Sequence, residues 1–237
     1  MAVFQGKSVL ALGGSRGIGA AIVRRFAAEG AAVTFTYAGS PEAAKQLAAE
    51  TGATAALTDS SDRDAVIARV RESGPLDVLV VNAGIAVFGD ALDQDPDAID
   101  RLFRINVHAP YHASVEAARR MPEGGRIIVI GSVNGDRMPV AGMASYALSK
   151  SALQGLARGL ARDLGPRGIT VNIVQPGPID TDANPADGPM KDLMHSFMAI
   201  KRHGRPEEVA GMVAWLAGPE AGFVTGAMHT IDGGFGA

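Results

Sequence analysis

The sequence predicts a single-domain α/β protein built on a doubly wound, seven-stranded parallel sheet with helices on both faces. Three observations predict it. Short β-branched or aliphatic runs alternate with longer Ala-rich stretches almost from end to end. Most of these runs are continuously apolar, as expected of strands covered by helices on both faces. A glycine cluster sits where the first run meets the first helix.

The strand candidates are Ser8–Leu12, Ala32–Tyr37, Thr54–Thr58, Val78–Asn82, Arg126–Gly131, Thr170–Val174 and Ala227–Ile231. Helices are expected near 18–29, 41–51, 62–73, 97–120, 145–164 and 207–217. Pro41 and Pro206 fall where a first helical turn tolerates a residue without an N–H. The one break in this rhythm runs from Pro176 to about Ile200. It opens with Pro176-Gly177-Pro178, carries Pro185, Gly188 and Pro189, and becomes apolar and Met-rich over Met190–Ile200. A long irregular segment inside a compact domain is more often functional than idle, so an active-site lid is expected there, with a mobile surface loop as the plainer alternative. Its Met-rich part is expected to pack over an apolar substrate region.

Composition narrows the function. With 22 basic and 25 acidic side chains the net charge is −3, too balanced for a general nucleic-acid binder. The absence of Cys excludes disulfides, thiolate metal sites and a cysteine nucleophile. The N-terminus lacks a basic stretch followed by an apolar one, and no apolar run approaches the roughly 18 residues of a membrane span. A soluble, cytoplasmic protein is expected. His108 and His112 stand one helical turn apart, but only Glu116 offers a third ligand, so no metal site is expected and a packed helix surface is preferred.

The first strand leads into Gly13-Gly14-Ser15-Arg16-Gly17-Ile18-Gly19. Glycines at 13, 17 and 19 permit a tight turn, close backbone approach to a ligand and close helix–strand packing. The following helix N-terminus offers free N–H groups and a positive dipole end to a pyrophosphate. The second strand decides which dinucleotide. A carboxylate at its end would favour NAD, but Tyr37-Ala38-Gly39-Ser40 supplies none. Arg16, helped by the Ser40 hydroxyl, can meet a 2′-phosphate instead, which points to NADP(H). Farther on, Tyr146 and Lys150 lie four residues apart on one helical face. An ammonium beside a phenol favours the phenolate and brings an otherwise poor acid–base group toward its working range.

Together these motifs resemble the short-chain dehydrogenase/reductase family, over about residues 6–235. The matching pieces are Gly13-x-x-x-Gly17-Ile18-Gly19, Asp59, Asn82-Ala83-Gly84, Asn106, Ser132, Tyr146-x-x-x-Lys150, Pro176-Gly177-Pro178-Ile179-x-Thr181 and Ile231-Asp232-Gly233-Gly234. The resemblance implies a Rossmann-type fold and carbonyl reduction or alcohol oxidation. It makes Tyr146 the acid that protonates the carbonyl oxygen and Lys150 the group that lowers its pKa and binds the nicotinamide ribose. Ser132 becomes the residue that orients the carbonyl, and Asn106 the holder of a relay water. It also implies that Asp59 binds the adenine edge and that Asn82, Ala83 and Gly84 line the cofactor cleft. Ile179 and Thr181 would hold the carboxamide, with Ser15, Tyr37, Pro176 and Gly177 at the same cleft. Ser132 precedes Tyr146 by fourteen positions, about two more than is usual in the family, and the extra length is expected in Gly135–Pro139, at the substrate mouth.

Loops outside the shared motifs, among them 35–40, 130–143 and 180–185, resemble a subgroup of the family that implies binding of the second messenger cyclic-di-GMP, beside or instead of redox catalysis. Arg16, Arg137, Arg202, His203 and Arg205 are the residues that could meet such a dianion, and the dinucleotide cleft is its simplest site. The Arg158/Arg162 pair is read as solvated or subunit-facing. The substrate itself is left open, with Arg137, Lys191 and Lys201 as candidate cations should it be an acyl thioester. Small residues such as Ala113, Ala117, Ala152, Gly155 and Gly159 permit close helix packing, and the resemblance implies a homodimer or homotetramer.

Overall fold

The structure, a computed structural model, describes residues 2–237. Its strands are β1 (Ser8–Leu12), β2 (Ala32–Tyr37), β3 (Thr54–Leu57), β4 (Val78–Val81), β5 (Arg126–Ile130), β6 (Thr170–Pro176) and β7 (Met228–Ile231). They form one sheet in the order β3-β2-β1-β4-β5-β6-β7, with every neighbouring pair parallel. The helices are α1 (Gly17–Ala28), α2 (Pro41–Thr51), α3 (Arg63–Glu72), α4 (Pro96–Phe103), α5 (Ala109–Arg120), α6 (Ala144–Leu164), α7 (Lys191–Phe197) and α8 (Pro206–Ala217).

The apolar runs are explained by two cores, one on each face. Val9 and Ala11 of β1, Val78 and Val80 of β4, and Ile128 and Ile130 of β5 enter the core shared with α1 and α8. Their neighbours Leu10, Leu12, Leu79, Val81, Ile127 and Val129 point the other way, into the core shared with α3, α5 and α6. Side chains alternate across a strand, so two covered faces demand an unbroken apolar run. Leu79 is fully buried at the centre of this arrangement. Replacing it with Ala should destabilise the fold by about 2–5 kcal/mol, read as a lowered urea midpoint with an unchanged slope.

The structure differs from the sequence reading in three places. β6 continues through Gln175 and Pro176, because Pro176 pairs with Ile231 of β7. The stretch expected as one helix over 97–120 is interrupted by a π-helical turn, Arg104–His108, between α4 and α5. Pro110 cannot supply the N–H that would close a regular α-turn onto Asn106, which favours the wider turn. The segment after Pro176 is not wholly irregular. It contains α7, whose far end is pinned where Met198 is buried with Val133 and Phe235.

Candidate active site

The site lies at the C-terminal edge of the sheet, where the chain order reverses between β1 and β4. The glycine loop is tied down from both sides. Thr36 of β2 accepts the Gly13 N–H on its Oγ1 at 2.9 Å and the Gly14 N–H on its carbonyl at 2.8 Å. Just past β4 the Asn82 amide donates to the Gly13 carbonyl at 2.7 Å. Gly13 has φ +78°, and a Cβ there would lie 2.7 Å from the Ala83 backbone. A Cβ on Gly19 would lie 2.1 Å from the Gly13 carbonyl oxygen, so α1 can seat against the loop only through a glycine. Asp62 and Asp95 cap α3 and α4 with their side chains, whereas α1 has neither a side-chain cap nor an acidic residue in its first turn. Its leading N–H groups are left for an anion.

Around this floor stand the other residues expected to hold a dinucleotide. Ser15, Ile18, Tyr37 and Ser40 are half-buried, and Ser40 begins α2 without using its hydroxyl as a cap. Arg16 is exposed, and its guanidinium faces Asp182 across the cleft at 3.9 Å rather than standing alone. Asp59 accepts the Ser61 N–H and hydroxyl, both at 2.8 Å, and these bonds hold its carboxyl below the usual range. Its other oxygen lies 3.8 Å from Arg101. The loop after β6 closes the cleft. Gly177 packs on the Asp232 backbone, Ile179 is buried beside Gly204, and Thr181 meets Gly17, where a Cβ would be 3.0 Å from its methyl.

The reacting groups gather at the end of β5. Ser132 caps a short 3-10 turn over Val133–Gly135, its Oγ accepting the Asn134 N–H at 3.1 Å. That contact leaves its own proton free to donate. Tyr146 stands in the first turn of α6, and Lys150 one turn on donates from Nζ to the Ile130 carbonyl at 3.0 Å. Burial pushes the Tyr146 phenol above its ordinary value, and a hydrogen bond with Ser132 pulls it part of the way back. Burial alone brings the Lys150 ammonium down to about 8. The expected pull of Lys150 on the phenol is therefore not what governs Tyr146 here: Nζ is held by Ile130, 5.8 Å from the ring centroid. Asn106, buried on the π-helical turn, clamps the loop after β4. Its Oδ1 accepts the Ile85 N–H at 2.9 Å, and its Nδ2 donates to the Ile85 carbonyl at 2.8 Å. A Cβ on Gly84 would lie 3.3 Å from Lys150 Nζ and 3.5 Å from Asn106 Oδ1, so this glycine borders both groups closely.

Gln175, Ser149 and His195, which sequence reasoning did not single out, support this set, and His203, considered there only for a dianionic ligand, joins them. Gln175, buried on β6, donates to the Ser132 carbonyl at 3.2 Å, and Ser149 accepts from Asn106. His195 of α7 and buried His203 share a hydrogen bond of 2.9 Å that ties the lid to the body. Two of the three cations expected at the mouth are engaged elsewhere. Arg137 donates to the carbonyls of Phe235 and Ala237 at 2.6 and 3.0 Å, and Lys201 donates to the His195 and Ser196 carbonyls. Glu116, the third ligand considered for a metal, accepts a two-pronged contact from Arg71 instead.

Known proteins are similar to this chain over nearly its whole length. Residues 13–236 match a family model described as enoyl-(acyl carrier protein) reductase. The cyclic-di-GMP-binding biofilm dispersal mediator protein of Escherichia coli (strain K12) is 80% identical over 237 residues, covering 100% of both chains. The crystal structure of BdcA in complex with NADPH superposes with a TM-score of 0.98 at 80% identity, covering 99% of this chain and 96% of that one. A short-chain dehydrogenase/reductase from Serratia marcescens superposes with a TM-score of 0.96 at 52% identity, covering 99% of this chain and 100% of that one.

Proposed function

The chain belongs to the short-chain dehydrogenase/reductase family, and from that premise we propose that it is an NADP(H)-dependent reductase of uncharged carbonyl compounds. The observation that carries the reading is the convergence of Ser132, Tyr146, Lys150 and Asn106 on one edge of the sheet beside an uncapped helix N-terminus. Bound in this cleft, NADPH would supply the hydride; the protein supplies position and the proton. The Ser132 hydroxyl donates to the substrate oxygen and orients it. Tyr146, kept neutral by burial, passes its phenolic proton to that oxygen. Lys150, whose Nζ lies 5.8 Å from the ring centroid, is the positive charge placed to stabilise the phenolate left behind. A phenol held protonated at rest suits reduction better than oxidation.

The pocket-side chemistry supports a neutral substrate. Phe88 and Leu92 are exposed in the loop after β4, and Met190 and Leu193 on the lid, while Arg137 and Lys201 are held by backbone carbonyls. A carrier-bound thioester would have only Lys191, exposed at the start of α7, of the three expected cations left to meet it. Gly13, Ser15, Arg16, Gly17, Ile18, Gly19, Tyr37 and Ser40 are proposed to hold the pyrophosphate and adenosine side of the cofactor, with Asp59 at the adenine. Asn82, Ala83, Gly84, Pro176, Gly177, Ile179 and Thr181 are proposed for the nicotinamide side. Arg16→Ala should weaken NADPH binding about 10–100-fold and leave NADH binding within twofold, measured by titrating cofactor fluorescence.

A second reading has its own support. The E. coli relative at 80% identity is described as binding cyclic-di-GMP, so we propose that this chain binds it too, in the dinucleotide cleft and in competition with NADP(H). Thermal melts with NADPH, NADH and cyclic-di-GMP separately test both readings. A ligand at 100 times its Kd adds about 2.7 kcal/mol, well above detection. A shift with NADPH alone leaves the reductase reading standing and removes the messenger. Simultaneous saturation by NADPH and cyclic-di-GMP would overturn the competitive version, and no shift with any of them would overturn the cleft itself. A cytoplasmic location fits these ligands; among the described residues no helix is long and apolar enough to cross a membrane. The homodimer or homotetramer is proposed to form across α5 and α6, where Tyr111, Leu156 and Gly159 border an open groove of about 420 Å³.

A further inference from the structure

We infer that Ser149 is a positioning residue of the reductase, acting through Asn106 to hold the cofactor-side loop in register with Tyr146 and Lys150. The inference rests on the reductase reading and goes beyond it, since neither the tyrosine–lysine spacing nor the glycine loop calls for a hydroxyl at this position.

Ser149 is fully buried on α6, between the two residues that carry the chemistry. Its hydroxyl donates to the Tyr146 carbonyl one turn back, at 2.7 Å. That bond commits the only proton the side chain has, so toward any other neighbour Ser149 Oγ is an acceptor. The neighbour is the Asn106 amide, whose Nδ2 donates to Oγ at 3.0 Å. An amide facing an obligatory acceptor has one allowed orientation, nitrogen toward Ser149 and oxygen away. Oriented so, Asn106 places Oδ1 on the Ile85 N–H and its second Nδ2 proton on the Ile85 carbonyl. Rotating the amide by half a turn would set oxygen against both Ser149 Oγ and the Ile85 carbonyl, and nitrogen against an N–H. Every contact would become repulsive.

The consequence reaches the reacting atoms through one short segment. Ile85 follows Asn82-Ala83-Gly84, which borders the glycine loop through Asn82 and Lys150 Nζ through Gly84. Ser149 therefore fixes the distance between the loop that would carry the nicotinamide and the helix that carries the proton donor. The π-helical turn at Arg104–His108 is what brings Asn106 within reach of both. With Ala at 149, Asn106 keeps a buried N–H with no acceptor, and the amide loses the contact that selects its orientation.

The test uses Ser149→Ala and Ser149→Thr in the intact protein, with two readouts. One is steady-state reduction of a ketone accepted by the wild type. The other, independent of turnover, is hydrogen exchange at the Ile85 amide against the neighbouring amides of β4. Ser149→Ala should lower kcat about 10–100-fold with KM and NADPH affinity within about twofold, and should speed Ile85 exchange selectively. Ser149→Thr, which keeps the hydroxyl, should restore most of both. The inference is overturned if the Ala variant keeps wild-type kcat and Ile85 protection, or if Thr fares no better than Ala. A wild type that binds NADPH yet turns over no carbonyl compound sinks the reductase reading instead, and Ile85 exchange still decides whether the clamp exists.

Discussion

Replacing Tyr146 with Phe is expected to lower kcat for carbonyl reduction by about 10²–10⁴ while leaving NADPH affinity and thermal stability nearly unchanged. The substitution removes one oxygen and keeps the ring. That oxygen is the group placed to give up a proton beside Ser132, and burial keeps it protonated well above neutral pH. The groups beside it are committed elsewhere: Lys150 donates to the Ile130 carbonyl, and Asn106 is locked to Ile85. The loss should fall on kcat, because substrate binding depends on the apolar walls and Ser132. Stability should move by no more than about 1 kcal/mol, the worth of a single hydrogen bond to Ser132. The same variant separates the two functions proposed for the cleft. Messenger binding through the glycine loop and Arg16 does not use the phenol and should survive. A variant reducing its ketone at more than a tenth of the wild-type rate would move the proton donor elsewhere.

How much of this was legible beforehand depends on where the determining contacts lie along the chain. β1, β4 and β5 were readable because helices cover both faces of each strand, and that leaves an unmistakable apolar run. The glycine loop was readable because its requirement is local: Gly13 and Gly19 are forced by backbone contacts within a few residues or one strand away. The lid helix α7 was not. Seven residues are too few to be helical on propensity, and α7 persists through the burial of Met198, the Phe197–Phe235 contact and the His195–His203 bond. The π-helical turn leaves the apolar periodicity on either side intact, and Pro110 was its only trace. Ser149 was invisible for a different reason. A serine in a helix is ordinarily unremarked, and this one matters because Asn106, 43 positions earlier, is folded onto it. Arg137 was seen as a cation at the mouth, but the carbonyls that hold it come from residues about a hundred positions later.

Lys150→Met should abolish turnover and make the protein more stable, and the size of the gain should depend on pH. The ammonium is buried, and its pKa falls from 10.5 to about 8. Below about pH 8 both the folded and the unfolded chain carry the proton, and the fold bears the whole cost of desolvating the charge. Between about 8 and 10.5 the folded protein has released the proton while the unfolded chain still binds it. The unfolded state then holds more protons, so wild-type stability rises with pH across that window. Above it neither state is charged and the cost is gone. Methionine matches the length of the side chain without the charge. At pH 7 it should therefore add about 2–3 kcal/mol, the depressed pKa being worth about 3 kcal/mol and the lost bond to the Ile130 carbonyl returning about 1. The difference between variant and wild type should shrink steadily from pH 8 to 10.5, as followed by urea unfolding at each pH. A variant less stable than wild type at pH 7 would mean that the Ile130 contact outweighs desolvation and that Lys150 belongs to the scaffold as much as to the chemistry. The expected result is the reverse. A charge held in the interior at a net cost is retained for what it does to the phenolate, and the fold's two covered faces supply the stability that lets it stay.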